Sequence, residues 1–514
     1  MKLRIIACTF IAVGSLSAMA QDITQEKYQL ADEQALWRNS QNAAGIALDM
    51  EIQDSAVNRG VAFFDLRHQS GDYHRVQEGN QTNQLRFFTE RYQKIGKWLY
   101  GYGSFDFDMG RIKQRAWSDV LRTYNANPFI SGSSVFGSYD FQNFTLQAKV
   151  ATVQLGHFHY GASLSYQVGD LSRLRDPRSR IRLADYTLTP SATYSIRQHT
   201  IGLSAHYHRY KEKLTGLTTV QNNPNLKYYV MSGLEYARGT VNGYSAYQRE
   251  YVNHEFGGEL SYGYKGNTWH SVTALAFDHG TEYAYGQYKY EPGRYYTNRY
   301  ALTTQNRISS GRLLHSIDIK ACYEEGYADQ YNQEQITVRD GAYTTTYWQT
   351  KMTYEKRYQL KKTDLNIHYR LTVTDDDAVA AYAGMSYTLQ TVSNKHLLRT
   401  SQLKYSSSLI GLEGGYGFLK KRLWAKADIN FHISHQADLQ LSDPTGDYAC
   451  NVLLPDMEYY RANYWQGRLE VAYQLPVVIK KVRTLWFAKL YGSYLRTNNS
   501  LNGRCAGMSI GMYF

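Results

Sequence analysis

The chain has 514 residues, 57 Lys and Arg against 45 Asp and Glu for a formal net charge of +12, and only 8 prolines beside 48 tyrosines and 40 glycines. Aromatic residues at 14% exclude a disordered chain, and after the first segment no stretch approaches the roughly 18 apolar residues of a membrane-spanning helix. Scarce proline beside abundant tyrosine and glycine fits one long β-ladder, because proline withdraws a ladder donor.

Lys2 and Arg4 precede an apolar run from Ile5 to Leu16, and Ala18-Met19-Ala20 supplies a small-residue cleavage site. Residues 1–20 therefore read as a signal peptide, with the mature chain starting at Gln21. Cys8 lies at the start of the apolar run rather than its end, which argues against lipidation. Residues 21–58 follow as a periplasmic or lumenal segment that contains Leu36-Trp37-Arg38-Asn39-Ser40-Gln41-Asn42-Ala43-Ala44-Gly45. The barrel is assigned to 59–514. Cys322, Cys450 and Cys505 form no disulfide framework, although two of them could pair.

Period-two alternation dominates from near residue 60 onward. Phe144, Leu146, Ala148 and Val150 alternate with polar residues, as do Phe158 to Val168, Leu365 to Val373 and Leu423 to Ile433. Each run is about ten residues long, the length a tilted strand needs to cross a bilayer. The polar face carries Gly, Ser, Asn, His and charged residues at mid-strand, which fits a wet lumen behind a lipid-facing wall. Such a wall must close, since unpaired edges cannot face hydrocarbon. Short connections at 197–199, 265–267, 309–311, 375–377 and 420–422 alternate with longer polar ones at 109–133, 170–186, 211–227, 279–297, 324–349 and 434–463. That pattern matches periplasmic turns and extracellular loops. The fold class is all-β, a single closed antiparallel transmembrane barrel of 14 to 20 strands, the number even.

Several clusters along the chain could carry chemistry. His157 with His159, and His206 with His208, form two His-x-His pairs that strand parity places on the polar face. Either pair could offer two imidazoles to an ion, but no third ligand follows at a convincing spacing. Arg173, Arg175, Arg178, Arg180 and Arg182, opposed only by Asp176, could bind an anion such as a lipopolysaccharide phosphate, or form a solvated or inward-folded loop. His254 between Asn253 and Glu255, and Asp278, His279 and Glu282, are acid–histidine neighbours without a catalytic motif. Tyr283, Tyr285, Tyr288, Tyr290, Tyr295 and Tyr296 fit an interfacial aromatic girdle. By register, Lys149, His159, His206, Arg370, Glu413, Lys426 and Asp428 project into the lumen, and the basic excess suggests a mild anion preference. Met508, Ile510, Met512 and Phe514 share one face of a final strand, which resembles the insertion signal of Gram-negative outer-membrane barrels.

The 36–45 segment and the tyrosine-rich strands resemble an uncharacterised family of outer-membrane β-barrel proteins from Bacteroidota. The same segment is weakly similar to the Asn-Pro-Ala-Gly stretch of fatty-acid-transporter-type barrels, but Ala43 replaces the proline, so the transport function is not carried over. The resemblance implies a porin-like fold in the cell outer membrane and names no substrate.

The leading expectation is a channel or transporter for a small solute, because wide barrels usually enclose a conduit. A non-conducting surface or secretion-associated barrel whose loops bind a partner or glycan is the alternative, and a rim-sited hydrolase a third. With no mechanistic motif present, neither enzyme activity nor a cofactor is expected. Expected partners are outer-membrane lipid, lipopolysaccharide, the barrel-assembly machinery and an unidentified solute or loop ligand. Nucleic acid is not among them.

Overall fold

Strand β1 (Arg59–Gly71) pairs with both β2 (Gln81–Ile95) and the last strand, β21 (Asn502–Tyr513), and this double pairing closes the wall. The structure is a computed structural model that describes residues 25–51, 58–122, 126–220, 226–241, 247–375, 378–398, 400–419, 422–479 and 482–514. Ala18, Ala20 and Gln21 of the expected cleavage site lie outside the described residues.

The wall continues through β3 (Leu99–Arg115), β5 (Gly137–Thr152), β6 (Phe158–Arg173), β7 (Arg180–Ile196) and β8 (His199–Leu214). It then takes up β11 (Arg249–Lys265), β12 (Trp269–Tyr285), β13 (Gly293–Ser310), β14 (Leu313–Asp340) and β15 (Tyr343–Asp375). The remaining strands are β16 (Ala378–His396), β17 (Ser401–Phe418), β18 (Leu423–Gln440), β19 (Tyr464–Ile479) and β20 (Val482–Thr497). Eighteen strands thus form one closed antiparallel barrel. A separate three-stranded sheet joins β4 (Ser131–Ser133), β9 (Lys227–Met231) and β10 (Ala237–Val241) inside two long loops.

The alternation has the expected consequence. Phe144, Leu146, Val150, Ile429, Phe431, Ile433, Met508 and Ile510 are exposed on the outer surface, where no second sheet covers them. An apolar outer belt around a polar interior suits hydrocarbon. Among the described residues no helix is long and apolar enough to cross a membrane. The turns are short where the conformation is demanding: Gly311 joins β13 to β14 at φ +59°, a left-handed position that glycine adopts without steric cost.

Several strands run past the predicted loop boundaries. The expected 324–349 loop is instead the top of the β14–β15 hairpin. Between Tyr331 and Tyr354 its two strands pair only with each other, because β13 reaches no further than Gln330 and β16 pairs from Tyr358. The expected 170–186 loop shrinks to the few residues between β6 and β7. Cys322, Cys450 and Cys505 are all free, so the compatible bridge is not formed.

Candidate functional site in the lumen

Two helices precede the wall, α1 (Gln25–Gln34) and α2 (Gly45–Met50), with a single 3-10 turn at Trp37–Asn39 between them. They lie inside the barrel near its short-turn end. Leu30 packs with Leu314, Val379, Tyr382 and Trp424, while Ile46, Ala47 and Met50 pack with Tyr92, Tyr100 and Ala151. The segment folds on itself through Asp49, whose Oδ1 accepts the Leu36 and Trp37 amides at 3.1 Å each. Burial pushes that carboxyl up to about 7.

Wall and plug are joined by charge-assisted hydrogen bonds. Glu33 accepts from Arg370 Nη1 at 3.1 Å and from Thr372 Oγ1 at 2.8 Å, and its carbonyl accepts from Arg307. Arg59 lies over the rings of Tyr28 and Tyr92 and bridges to Asp32 at 2.7 Å; Tyr28 in turn donates to Glu90. Lys149 donates to the Arg38 carbonyl at 3.1 Å, and Ser40 to Glu259. The fit is also steric. A Cβ on wall residue Gly263 would sit 2.6 Å from Trp37 Cζ2, and one on Gly202 would sit 3.2 Å from Trp37 Cζ3, so two missing side chains make the tryptophan's seat.

At the opposite end the long loops turn inward. Ala116, Trp117, Val120, Phe129, Tyr229, Met231, Tyr448, Val452 and Met457 share one hydrophobic core with the wall residues Tyr251, Tyr295, Tyr358 and Tyr405. Helix α3 (Leu454–Arg461), in the loop after β18, belongs to this cap. Polar ties lock it: Val76 N donates to Asp456 Oδ1 at 2.9 Å, Leu121 N to Glu212 Oε1 at 2.7 Å, and Arg122 pairs with Glu282. Asp447 is held below the usual carboxylate range, first by a hydrogen bond from Tyr229 and then by nearby Lys227. Tyr295, assigned to the girdle above, is buried in this cap, whereas Tyr288 is exposed.

Among the described residues, two large polar cavities lie inside. One, of about 710 Å³, is lined by β1–β3 and β15–β21 and carries six acidic against four basic side chains among its described lining residues. Some of its charges are paired on the wall: Arg86 grips Asp106 with bonds of 2.9 and 2.7 Å, and Glu413 accepts from His368 at 2.9 Å and Arg370 at 2.7 Å. The other, of about 780 Å³, reaches from Gln41 of the plug to Arg122 of the cap and carries four of each sign. The basic excess of the chain is therefore absent from both linings, and the expectation of an anion preference loses its basis.

The inward set falls on these features. Lys149 and His206 line the larger cavity, while Glu413 and Asp428 line the other. Arg370 contacts both Glu413 and the plug, and Lys426 stands 3.8 Å from Glu470. His159 is buried, with Nε2 3.6 Å from Glu51 of the plug segment. His157 does not join it. It precedes the first residue of β6, so strand parity does not reach it, and it bonds the Ser195 carbonyl in the turn instead. His206 and His208 do share the lumen wall. Their partners, Asp278, Glu255 and Asp185, come from neighbouring strands, a placement that sequence spacing cannot reveal.

Four of the five clustered arginines are engaged locally. Arg173 is buried and donates to Tyr139 Oη at 2.8 Å and the Val135 carbonyl at 2.6 Å. Arg175 donates to the Phe136 carbonyl, Arg178 to Asp176 and Arg180 to Asp170. Arg182 is exposed. The acid–histidine neighbours do not converge: Asn253 and Glu255 line the cavity, whereas His254 bonds Tyr207 on the outer face. His279 is likewise exposed, facing Asn298, while Asp278 is buried inside. At the last strand Ile510 faces outward, and Phe514 is tied to Gly60 by two backbone bonds and lies under Arg91.

A family model described as "Family of unknown function (DUF6850)" matches residues 47–514. No curated protein matches the sequence. Among solved structures the chain is similar to "Copper transporter OprC" at 9% identity and a TM-score of 0.40, covering 88% of this chain and 81% of that one. It is similar to the outer membrane transporter YddB from Escherichia coli at 8% identity and a TM-score of 0.37, covering 88% and 80%. It is also similar to OccK8 (OprE) from Pseudomonas aeruginosa at 10% identity and a TM-score of 0.36, covering 89% and 98%. Likenesses this distant fix neither a substrate nor a mechanism for the present chain.

Proposed function

The chain belongs to this family of unknown function, and we propose that it is an exported outer-membrane barrel that passes a small polar solute through its lumen, with residues 25–51 as an internal gate. One observation carries the reading: the lumen holds two cavities of about 710 and 780 Å³, lined mostly by polar side chains, and the larger reaches from plug to cap. A barrel built only as a scaffold gains nothing from water-sized space in its interior, whereas a conduit requires it. Each lining carries charges of both signs with no basic excess, which suits a neutral or zwitterionic solute better than a bare anion.

The plug is held mainly by hydrogen bonds and ion pairs, which water can replace when the segment withdraws. Its apolar side chains are divided among separate small clusters and form no single core with the wall. That balance suits a part that moves, since segments that open are drawn from the low-stability end of a structure. Liposome swelling with a graded series of neutral sugars and amino acids tests the reading. Uptake that falls with solute size supports it; swelling no faster than in protein-free liposomes, even after removal of residues 25–51, overturns it.

One observation favours the second reading, a surface barrel that binds a partner. The β14–β15 hairpin stands beyond the wall with Val338, Tyr343, Tyr347 and Met352 exposed. If the plugless barrel proves impermeable, deletion of 331–354 and loss of a surface interaction become the relevant test.

A further inference from the structure

The inner wall of the larger cavity holds a cross-strand row whose spacing is set by the ladder. His206 on β8 faces Gly257 on β11, Gly257 faces Asp278 on β12, and Asp278 faces Arg299 on β13. Two residues along, His208 faces Glu255, and Glu255 faces Gly280. Because side chains alternate with period two, both rows point into the lumen.

One ligand atom from each of His206, Glu255 and Asp278 lies within 4.8 Å of the others. His206 Nε2 is 3.1 Å from Asp278 Oδ1. Both side chains are almost fully buried; His206 Nε2 is the group that meets Asp278 Oδ1, and His206 Nδ1 has no hydrogen-bond partner. A buried imidazole nitrogen left without a partner is costly, and such a group is open to a ligand that the protein itself does not supply.

The surrounding groups orient these atoms. Arg299 Nε donates to Asp278 Oδ2 at 2.8 Å, so the carboxylate is gripped by one oxygen while Oδ1 is left facing His206. The same guanidinium is 3.7 Å from Glu255 Oε1, which His208 Nδ1 also approaches at 3.3 Å. His208 Nε2 bonds Asp185 Oδ1 at 2.8 Å. Each carboxylate thus has one oxygen fixed by an outer group, the arrangement by which outer groups position metal ligands.

The close approach of the two ligands is built in as well. A Cβ on Gly257 would collide with Asp278 Oδ1 and lie 2.8 Å from His206 Nε2. The residue between the two ligands on the ladder is therefore the one that leaves their approach open.

We infer that His206, Glu255 and Asp278 form a site for one divalent transition-metal ion of the zinc class on the lumen wall, with Arg299 and His208 as positioning residues. An imidazole with two carboxylates is a mixed nitrogen and oxygen donor set, which suits Zn²⁺ or Mn²⁺ better than the all-oxygen preference of Ca²⁺ or Mg²⁺. The remaining coordination positions open onto the cavity, where water or a solute carboxylate can complete them. The inference does not rest on conduction, because binding is read directly.

Isothermal titration of Zn²⁺ into refolded protein without a polyhistidine tag, with Co²⁺ absorption spectra beside it, tests this. The wild type is expected to bind one ion per barrel, and D278N and H206A to weaken that binding at least tenfold. G257A, which removes no polar group, should weaken it likewise by driving a methyl between the ligands. H157A, in the turn, should leave it unchanged. Each variant is first shown to fold as a heat-modifiable band. No stoichiometric binding by the wild type, or equal affinity in D278N, H206A and G257A, would overturn the site.

Discussion

Arg370 Nη1 on the barrel wall lies 3.1 Å from Glu33 Oε1 in the first helix, a contact between residues 337 positions apart that ties the N-terminal segment into the lumen. The same guanidinium holds Glu413 at the edge of the smaller cavity at 2.7 Å. Plug and cavity wall thus share one cation, and displacing either partner changes the other's electrostatics.

The first prediction concerns that tie. Glu33→Ala removes the acceptor of Arg370 and Thr372 together, leaving a half-buried charge with a single partner. Hydrogen bonds to charged groups contribute about 1.5–3 kcal/mol each, so the ratio of docked to undocked plug should fall roughly tenfold or more. The variant should conduct more often than the wild type in single-channel records, with residues 25–51 cleaved faster by protease. Unchanged protection and opening would show that the tie does not hold the plug.

Packing gives a second prediction. Trp37→Ala empties the seat formed at Gly202 and Gly263 and should cost about 3–5 kcal/mol of docking. Gly263→Val should have a similar effect from the wall side, because its Cβ alone would lie 2.6 Å from the indole. In both variants the barrel itself should still migrate as a compact, heat-modifiable band, since the strand ladder is untouched. Loss of the band along with the plug would mean that the plug is needed for folding and does not act as a gate.

A third prediction follows from Asp49. Its carboxyl is raised by burial to about 7, above the ordinary carboxylate value of roughly 3.9. The folded segment therefore binds the proton more tightly than the unfolded one. Its contribution to docking is complete below about pH 4 and is lost as pH rises through about 7, by at most about 1.4 kcal/mol per pH unit. Protease protection of 25–51 should weaken between pH 5 and pH 7.5 in the wild type. In Asp49→Asn, which keeps the acceptor for the Leu36 and Trp37 amides, it should stay level. A protection profile that rises with pH would contradict the assignment.

The fourth prediction separates the two faces of one strand. Ile429→Arg puts a charge on the exposed apolar belt and should cost about 2–4 kcal/mol of assembly if Ile429 lies near the bilayer midplane. Asp428→Asn, on the lumen side, should assemble normally. In the last strand, Ile510→Arg should impair assembly, whereas Ser509→Ala should only remove its 2.5 Å bond to Asp65. Gly511 is not a tolerant inner position: a Cβ there would lie 2.5 Å from Phe63 Cβ. Folding yields into lipid vesicles, equal for Ile429→Arg and Asp428→Asn, would show the register to be wrong.

How much of this the sequence discloses depends on whether the determining contact is local. Alternation from Phe144 to Val150 or Leu423 to Ile433 follows from one wall with hydrocarbon outside and water inside, so the strands and their inward sets are legible. The 331–354 hairpin stands beyond the wall with water on both faces, and its Thr- and Tyr-rich run resembles a loop because neither face is apolar. The plug is hidden for a related reason. Helix α1 meets the wall through polar ties as well as through Tyr28 and Leu30, so its sequence, QEKYQLADEQ, carries no apolar stripe. At the metal site, parity places His206 inside, but its meeting with Asp278 and Glu255 is set by the register of three strands. The tyrosines of the outer cap, such as Tyr295 and Tyr448, compose equally well as girdle residues, and only the inward fold of the loops assigns them to a core.

Conductance across planar bilayers, measured for the full-length barrel and for a variant lacking residues 25–51, tests the gated conduit most directly. The intact protein is expected to give rare, brief openings, and the plugless variant, checked as a heat-modifiable band, a steady conductance with no preference for anions. A folded plugless variant that passes no current would contradict the conduit and leave the lumen a closed chamber.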